Sequence, residues 1–355
     1  MANIKPLHAI TDHDLPYVSP SAAIWVYRCI NSTGSQTGIW AATDPIDMAS
    51  DKIVPHEAVL PKKLDHLVSY MKKNEVSRSP VLLTYKPHQQ ITNIIVDICS
   101  HQASRIINTL NEVHHLWCVS DPKMISDLQK AFLELEEVYV ADGHHRLAAT
   151  KQLGRSISSL YVSTDELEIH PFHRIIKLEK QDKMRNAERL SHIFNPTTFL
   201  GNLSLHYDIT NSIAQEPFRP DRRNRMGMFF QGRWYQLDLK QEGRQLLSRP
   251  DVSLLQDLIL APLLDIRNPD FGNRLQNYPD SEWNKFTLEL HLSPMNIGFT
   301  LYPMLVSEFL DAARHGTLLP PKSTWITPKI PDGLLMDAGT SGTVDPSPQK
   351  LKNVI

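Results

Sequence analysis

The amino-acid sequence predicts a mixed α/β fold, with a sheet flanked by helices. Segments rich in Val, Ile and aromatic residues alternate with segments whose apolar residues recur at helical spacing. Ala23–Ile30 and Thr37–Thr43 predict a hairpin, because β-branched and aromatic residues stand on both sides of a turn sequence. Lys62–Asn74 predicts a helix, since its apolar residues recur at i, i+3, i+4 and i+7 and so form a core-facing side.

The same alternation continues along the chain. The other predicted strands are Val81–Tyr85, Leu116–Val119, Val138–Ala141, Ser156–Ser163, His170–Lys177, Met226–Gln231, Arg233–Leu239 and Ile297–Leu301. The other predicted helices are Gln89–His101, the segment behind Asp121-Pro122, Gly143–Gly154, Asp182–Ile193, Asp251–Leu264 and Pro303–His315. We expect residues 1–336 to form a single domain, with a possible lobe boundary near 216–225. Residues 337–355 have few apolar anchors and predict a disordered tail.

Composition narrows the class of protein. The 355 residues carry a formal net charge of −2, so there is no excess of Lys and Arg for nucleic acid or an anionic membrane. The three cysteines have no paired spacing, so they predict buried, reduced thiols, with neither a disulfide framework nor a zinc site. The N-terminus lacks the apolar core of a signal peptide, and no long apolar run follows. We therefore expect a cytoplasmic protein with small-molecule partners; the sequence leaves the oligomeric state open.

The segment Val138–Ala149 is the most informative motif. An apolar strand stops at Asp142-Gly143 and a helical pattern begins, which places backbone N–H donors and the cation of Arg146 where an anion can dock. The alternative is an ordinary strand-to-helix turn in which Asp142 is the N-cap and Gly143 supplies an unusual dihedral. The spacing alone favours neither.

A second candidate is the loop before the first long helix, which carries His56 and Glu57. Glu57 is a candidate general base. The alternative is a solvated glutamate in the first turn of the helix, where its charge complements the helix dipole.

Two further polar segments could carry chemistry. His173 and Arg174 stand at the start of a strand, and one of them could point into a cleft; the alternative is an exposed strand end. Lys322 and Ser323 follow two prolines and could bind a phosphoryl group at low entropic cost. The alternative is a Pro-rich edge that closes the sheet.

Several motifs occur together and in order. They are Leu116-Trp117 with Asp121-Pro122, Ala141-Asp142-Gly143-His144-His145-Arg146, His170-Pro171-Phe172-His173-Arg174, Asp251-Val252-Ser253-Leu254-Leu255-Gln256-Asp257, Leu301-Tyr302-Pro303 and Pro320-Pro321-Lys322-Ser323-Thr324-Trp325. In these motifs the chain resembles a large bacterial family that bears a D-G-H-H-R signature and is related to free-serine kinases of the ParB/sulfiredoxin-like superfamily. The resemblance extends from about Ala23 to Met336.

This resemblance implies a ParB/sulfiredoxin-like core with elaborations, and phosphoryl transfer to the hydroxyl of free L-serine, which gives O-phosphoserine. The implied donor is ADP, ATP or diphosphate, with Mg²⁺ held by Asp142. The implied catalytic residues are Glu57 as the base, Asp142 and His144. Implied donor-binding residues are Gly143, His144, His145, Arg146, Lys322 and Ser323, and implied substrate-side residues are His56, His173 and Arg174. The two adjacent histidines are less typical of a transition-metal site, because no third ligand stands at a recognisable spacing.

The chain departs from the family pattern at Leu15–Pro20, at Val59 and at Arg267–Arg274. These departures concern the acceptor side, so a different small hydroxy acid or amino acid remains open as acceptor. Two other functions also remain open. One is a nucleotide-binding regulatory protein of the ParB-like type; the other is phosphoester hydrolysis, because a phosphoryl site does not by itself select the acceptor.

Overall fold

The computed structural model describes residues 2–11, 17–19, 21–50, 52–57, 59–73, 79–178, 195–211, 216–241, 246–267, 274–293 and 295–337. Contacts divide the chain into two units: residues 1–168 with 328–355, and residues 169–327. The lobe boundary considered near 216–225 thus lies inside the second unit, and the single domain over 1–336 stays a prediction. Of the predicted tail, Asp337 ends a short strand, and residues 338–355 lie outside the described residues.

A large mixed sheet forms the centre of the first unit, which confirms the mixed α/β prediction. Its strands run, in spatial order, Ile53–Val54, Val138–Asp142, Val81–Tyr85, Ile157–Ser163, Gly34–Thr43, Ile24–Asn31, Val113–Val119 and Arg105–Asn108, with Ile4–Lys5 also paired to Gly34–Thr43. Two neighbouring pairs are parallel and the others antiparallel, so the sheet needs helical crossovers as well as hairpins.

The predicted hairpin is confirmed. Trp25 lies opposite Trp40, and the register continues to the pair Asn31 and Gly34 at the turn. The Asn31 side chain accepts hydrogen bonds from the backbone N–H groups of Thr33 and Gly34, which fixes the turn. The second strand begins at Gly34, three residues earlier than predicted, because these hydrogen bonds close the turn over two residues.

Helices pack against the large sheet. They are Pro45–Ala49, Pro61–Lys73, Gln89–Cys99, Pro122–Leu133 and His144–Leu153, with a 3₁₀ turn at Thr164–Glu166. The helix Pro61–Lys73 contacts the helix His144–Leu153. Val68 is its one fully buried residue, so the face predicted as core is only partly covered. A small sheet of Ala9–Thr11, Tyr17–Val18 and Met336–Asp337 completes the unit.

The second unit contains a six-stranded antiparallel sheet. Its spatial order is Tyr207–Asn211, Arg233–Leu239, Arg225–Phe230, Ile297–Thr300, Phe172–Ile176 and Leu275–Pro279. Short strands at Glu168–His170 and Trp325–Thr327 also pair. The helices are Pro196–Leu203, Asp251–Leu255, Ala261–Leu264, Trp283–His291 and Val306–Arg314, with a π-helical turn at Gln256–Leu260 and a 3₁₀ turn at Asp280–Glu282. Across the described ranges, no helix combines the length and hydrophobicity needed to cross a bilayer.

The helix predicted at Asp251–Leu264 contains the π-helical turn, for a reason visible in the sequence. Pro262 has no backbone N–H, so it cannot make the usual bond to the preceding turn. The N–H of Ala261 instead reaches back to the carbonyl of Gln256, which widens the helix by one residue.

Some predictions need correction or lie outside the described part. The helix predicted from Pro303 begins at Val306, because Leu305 serves as its N-cap. The predicted helix Asp182–Ile193 lies outside the described residues. The cysteines are free thiols as expected, but only Cys29 is buried; Cys99 and Cys118 are partly exposed.

Candidate active site

The motif Asp142–Arg146 forms a tight turn from a strand into a helix. The strand Val138–Asp142 ends at Asp142, and the helix begins at His144. Gly143 is the N-cap and has φ 95° and ψ 26°, a left-handed conformation that favours glycine. Asp142 is therefore not the N-cap. Its Oδ1 instead accepts the Gly143 N–H at 2.9 Å, so this amide, expected to face a phosphate, is already paired with a carboxylate.

His144 is buried and paired with His56. The Nδ1 of His56 lies 2.9 Å from the carbonyl oxygen of Val140 and 3.2 Å from the Nε2 of His144. A carbonyl oxygen only accepts, so the His56 Nδ1 carries a proton and donates it to Val140, and the Nε2 of His144 is a second, longer acceptor for the same N–H. Burial lowers the pKa of His56 to about 4 and, together with the charge of His56, that of His144 to about 3. Both rings are therefore neutral at pH 7.

Both histidines of the motif accept backbone hydrogen bonds from the loop that carries Glu57. The N–H of His56 donates to the Nε2 of His144 at 3.5 Å, and the N–H of Leu60 donates to the Nε2 of His145 at 3.1 Å. Glu57 lies between these two anchors and before the helix Pro61–Lys73, so it is not a first-turn residue of that helix. The histidines thus hold the Glu57 loop at the start of the helix His144–Leu153.

The guanidinium of Arg146 folds back over the turn. A Cβ at Gly143 would lie 3.2 Å from one of its nitrogens, so the absence of a side chain at Gly143 makes room for it. Burial lowers the pKa of Arg146, while the charges of Asp142 and Asp332 raise it. The side chain remains a cation at neutral pH and lies beside the first turn of the helix.

Lys329 brings a second cation to the same turn. Its Nζ lies 2.9 Å from the Oδ2 of Asp142, and both side chains are partly exposed. Burial raises the pKa of Asp142, but Lys329, Arg146 and the Gly143 N–H lower it more, so the net pKa is below its ordinary value. Asp142 is thus an ionised carboxylate between two cations. The sequence had singled out Lys322 and Ser323 in the preceding motif; Lys329 is the residue that it missed.

His173 and Arg174 belong to the second unit and are both buried, so the alternative of an exposed strand end is wrong. The Nε2 of His173 donates to Asp280 at 3.0 Å, and its Nδ1 accepts the N–H of Leu301 at 3.4 Å. Arg174 donates to the carbonyl oxygens of Pro321 at 3.2 Å and Lys322 at 2.6 Å. These contacts tie the strand to the Pro-rich segment.

Lys322 and Ser323 also make contacts within the second unit. The hydroxyl of Ser323 donates to the carbonyl of Pro320. The ammonium of Lys322 lies 5.6 Å from the centre of the Phe172 ring, a cation–π distance. Their roles as donor-binding residues stay predictions, and both have a structural role in this unit.

A small, open depression in the second unit is lined by residues from four of the sequence motifs. Its lining includes Phe172, Asp251, Tyr302 and Ser323. The Oδ1 of Asp251 accepts the N–H of Asn224 at 2.9 Å, whereas its buried Oδ2 has no hydrogen-bond partner among the described residues. Burial, with a contribution from Glu308, raises the pKa of Asp251 to about 7.

Comparisons with known proteins give a family and several distant structures. A family model described as "Protein of unknown function (DUF1015)" matches residues 12–258. No curated protein matches the chain.

Among solved structures, a mutant free serine kinase in complex with ADP is 12% identical, with a TM-score of 0.45 over 85% of this chain and 92% of that one. SbnI with a C-terminal truncation, from Staphylococcus aureus, is 13% identical, with a TM-score of 0.42 over 81% and 82%. A conserved hypothetical protein from Pyrococcus furiosus is 15% identical, with a TM-score of 0.41 over 85% and 95%.

Proposed function

The chain belongs to the DUF1015 family, and from the geometry of its first unit we propose that it is a small-molecule kinase. It transfers a phosphoryl group from ADP, ATP or diphosphate to the hydroxyl of free L-serine or a similar small hydroxy amino acid, and the product is O-phosphoserine or its analogue. The acceptor and the ParB/sulfiredoxin-like core are taken from the motif resemblance. The site residues are assigned from their contacts.

The proposal rests on one observation: two histidines at the start of a helix accept hydrogen bonds from the loop that contains the Glu57 carboxylate. Leu60 donates to His145 and His56 donates to His144, with Glu57 between these two contacts. A phosphoryl-transfer site needs a base within reach of the attacking hydroxyl and cations around the transferred group. We therefore assign His144 and His145 as positioning residues and Glu57 as the base.

The donor phosphates are assigned to the start of the helix His144–Leu153. The N–H groups of its first turn have no acceptor within the helix, and the helix dipole favours a negative charge there. Arg146 and Lys329 supply full positive charges at the same turn. Because Asp142 partly neutralises both cations, the donor must compete with this carboxylate for them.

Asp142 fits the role of a Mg²⁺ ligand. Its carboxylate is ionised and partly exposed, and Mg²⁺ is commonly bound by one or two carboxylates together with substrate phosphates and water. When bound, the ion would neutralise negative charge on the donor phosphates. Asp142 would then share less charge with Lys329, leaving the ammonium to contact phosphate.

The transfer itself needs only one proton acceptor from the protein. Glu57 takes the hydroxyl proton, the substrate oxygen forms a bond to phosphorus, and the bond from phosphorus to the leaving oxygen breaks. The leaving group is AMP from ADP, ADP from ATP, or phosphate from diphosphate. Arg146 and Lys329 stabilise the charge that moves to the leaving group.

The test is phosphorus NMR of the full chain with Mg²⁺, each donor in turn, and L-serine or other hydroxy amino acids. We expect a phosphomonoester signal that appears only when both donor and acceptor are present. Release of phosphate without an acceptor would instead identify a hydrolase. Binding of nucleotide without turnover, with any acceptor, would favour the regulatory alternative and overturn the kinase assignment.

A further inference from the structure

A group of three possible metal ligands lies in the first unit, apart from the residues assigned to phosphoryl transfer. Cys29 and His114 lie directly opposite each other on the antiparallel strands Ile24–Asn31 and Val113–Val119. Glu112 stands just before the second strand. One ligand atom from each of the three side chains lies within 4.8 Å of the other two. No other described residues form such a group.

The imidazole of His114 is held in a fixed orientation. Its Nδ1 lies 3.0 Å from the hydroxyl of Tyr27, and the two rings are stacked with centroids 6.0 Å apart. The Tyr27 hydroxyl can donate to this nitrogen or accept from it, and the Nε2 of His114 lies 3.4 Å from the Thr109 hydroxyl. A metal ion bound at Nε2 would replace the contact with Thr109 and would need the proton on Nδ1, where it donates to Tyr27. That Nε2 lies 3.7 Å from a carboxylate oxygen of Glu112. A hydrogen bond from the second ring nitrogen is the usual support of a metal-binding histidine.

The three side chains combine two buried ligands with one that is partly exposed. Cys29 and His114 are buried, whereas Glu112 is partly exposed and leaves a route to solvent. Thiolate, imidazole and carboxylate together offer two negative charges, which balance one divalent cation.

We propose that Cys29, Glu112 and His114 bind one Zn²⁺ ion, with water as the fourth ligand. Sulfur and imidazole nitrogen favour zinc over Mg²⁺ or Ca²⁺, which prefer oxygen ligands. On binding, Cys29 loses its thiol proton to solvent and forms the zinc–sulfur bond. The site is independent of the kinase assignment, since none of its ligands belongs to the donor or base residues.

The experiment uses the full chain, first treated with a chelator and then titrated with Co²⁺. We expect one ion per chain, a near-ultraviolet thiolate-to-cobalt band, visible bands of a tetrahedral site, and displacement of the cobalt by one equivalent of Zn²⁺. Cys29→Ser should lose the thiolate band. Cys99→Ser and Cys118→Ser should keep it, because these thiols lie outside the group.

Because His114 and Cys29 are buried, their variants are checked for native circular dichroism. Glu112→Gln, at a partly exposed position, provides a variant that should fold normally and bind Zn²⁺ at least tenfold more weakly. Absence of the thiolate band in the unmodified chain would overturn the proposal. Retention of the band in Cys29→Ser would do the same.

Discussion

The Nζ of Lys329 and the Oδ2 of Asp142 lie 2.9 Å apart, although 187 residues separate them in the sequence. The pair joins a segment near the C-terminus to the turn at Gly143 within the first unit. A carboxylate that is held ionised next to a lysine can release that lysine to a more strongly charged partner. We propose that a donor phosphate enters the site at this pair.

Replacing this lysine tests which cation serves the donor. Lys329→Met removes an ammonium beside Asp142, and we expect diphosphate and ADP to bind about tenfold more weakly, roughly the 1.4 kcal/mol of one partly exposed charge contact. Lys322→Met is the matched change in the neighbouring segment, and we expect it to leave donor affinity within about twofold. Calorimetric titration measures both. The opposite ranking would favour the prediction made from the sequence motif.

Glu57→Gln tests the base. Glutamine keeps the shape of the side chain but cannot take a proton, so we expect turnover to fall at least about a hundredfold, in line with the contribution of general-base catalysis. Donor affinity should change little, because Glu57 is not assigned to the phosphates. Phosphorus NMR measures turnover and calorimetry measures binding. Unchanged turnover would remove Glu57 from the mechanism.

The buried pair of His56 and His144 predicts acid sensitivity. In the unfolded chain these imidazoles take up protons near pH 6.5, whereas in the folded chain they remain neutral down to about pH 4 and 3. The unfolded state therefore binds more protons in this range, so their contribution to stability is present above pH 6.5 and is lost as the pH falls. The loss is on the order of 2 kcal/mol per imidazole by pH 5.

His144→Gln supplies the comparison for this pair. The amide oxygen of glutamine can replace Nε2 as the acceptor for His56 but does not titrate. Urea denaturation at pH 5, 6 and 7 should give a shallower pH dependence for His144→Gln than for the unmodified chain. Equal slopes would contradict the assignment of neutral, buried rings.

Asp251 predicts the opposite pH dependence. Its pKa is about 7 in the folded chain, because the carboxyl group is buried and lies near Glu308, against about 3.9 when unfolded. The folded state therefore binds the proton more tightly, and stability falls as the pH rises from about 4 to 7. Asp251→Asn should be more stable than the unmodified chain at pH 8, on the order of 2 to 4 kcal/mol, and similar at pH 4. Urea denaturation at the two pH values checks this; no gain at pH 8 would contradict it.

Comparing Gly143→Ala with Gly154→Ala separates the effect of backbone strain from the effect of crowding the Arg146 side chain. Alanine at φ 95° is strained, and its Cβ would meet the Arg146 guanidinium at 3.2 Å. Gly154→Ala, at the other end of the helix, has φ 63° and no atom within 4 Å of the added Cβ. We expect both variants to lose about 1 kcal/mol of stability, and only Gly143→Ala to weaken ADP binding as well. Equal binding in both would show that Arg146 is not held by this turn.

The sequence correctly predicts the secondary structure around the Asp142–Arg146 motif. The apolar run before Asp142-Gly143 and the helical spacing after it predict the strand and the helix, and the structure has both. The unusual dihedral of Gly143 depends only on the local turn, so the interpretation of this motif as a strand-to-helix turn predicted it correctly. The same interpretation was wrong about Asp142, which it made the N-cap. The carboxylate of Asp142 accepts the N–H of Gly143 instead of capping the helix.

The long-range contacts could not be read from the sequence. The partners of His144 and His145 are N–H groups of His56 and Leu60, which any residue type would offer. A charged residue such as Arg174 is usually exposed. It is buried here because it donates to two backbone carbonyls that lie almost 150 residues away in the sequence. The sequence analysis predicted no zinc site because the cysteines have no paired spacing, whereas strand register places Cys29 opposite His114.

The most direct test of the phosphate site is calorimetric titration of ADP with Mg²⁺ into the unmodified chain, Arg146→Ala and Arg155→Ala. Arg146 lies over the first turn of the helix, whereas Arg155 lies just beyond the C-cap residue Gly154 and is exposed. We expect Arg146→Ala to weaken binding by about 2 to 4 kcal/mol, roughly 30-fold to 1,000-fold, and Arg155→Ala to bind like the unmodified chain. Equal affinity in Arg146→Ala and the unmodified chain would contradict this expectation.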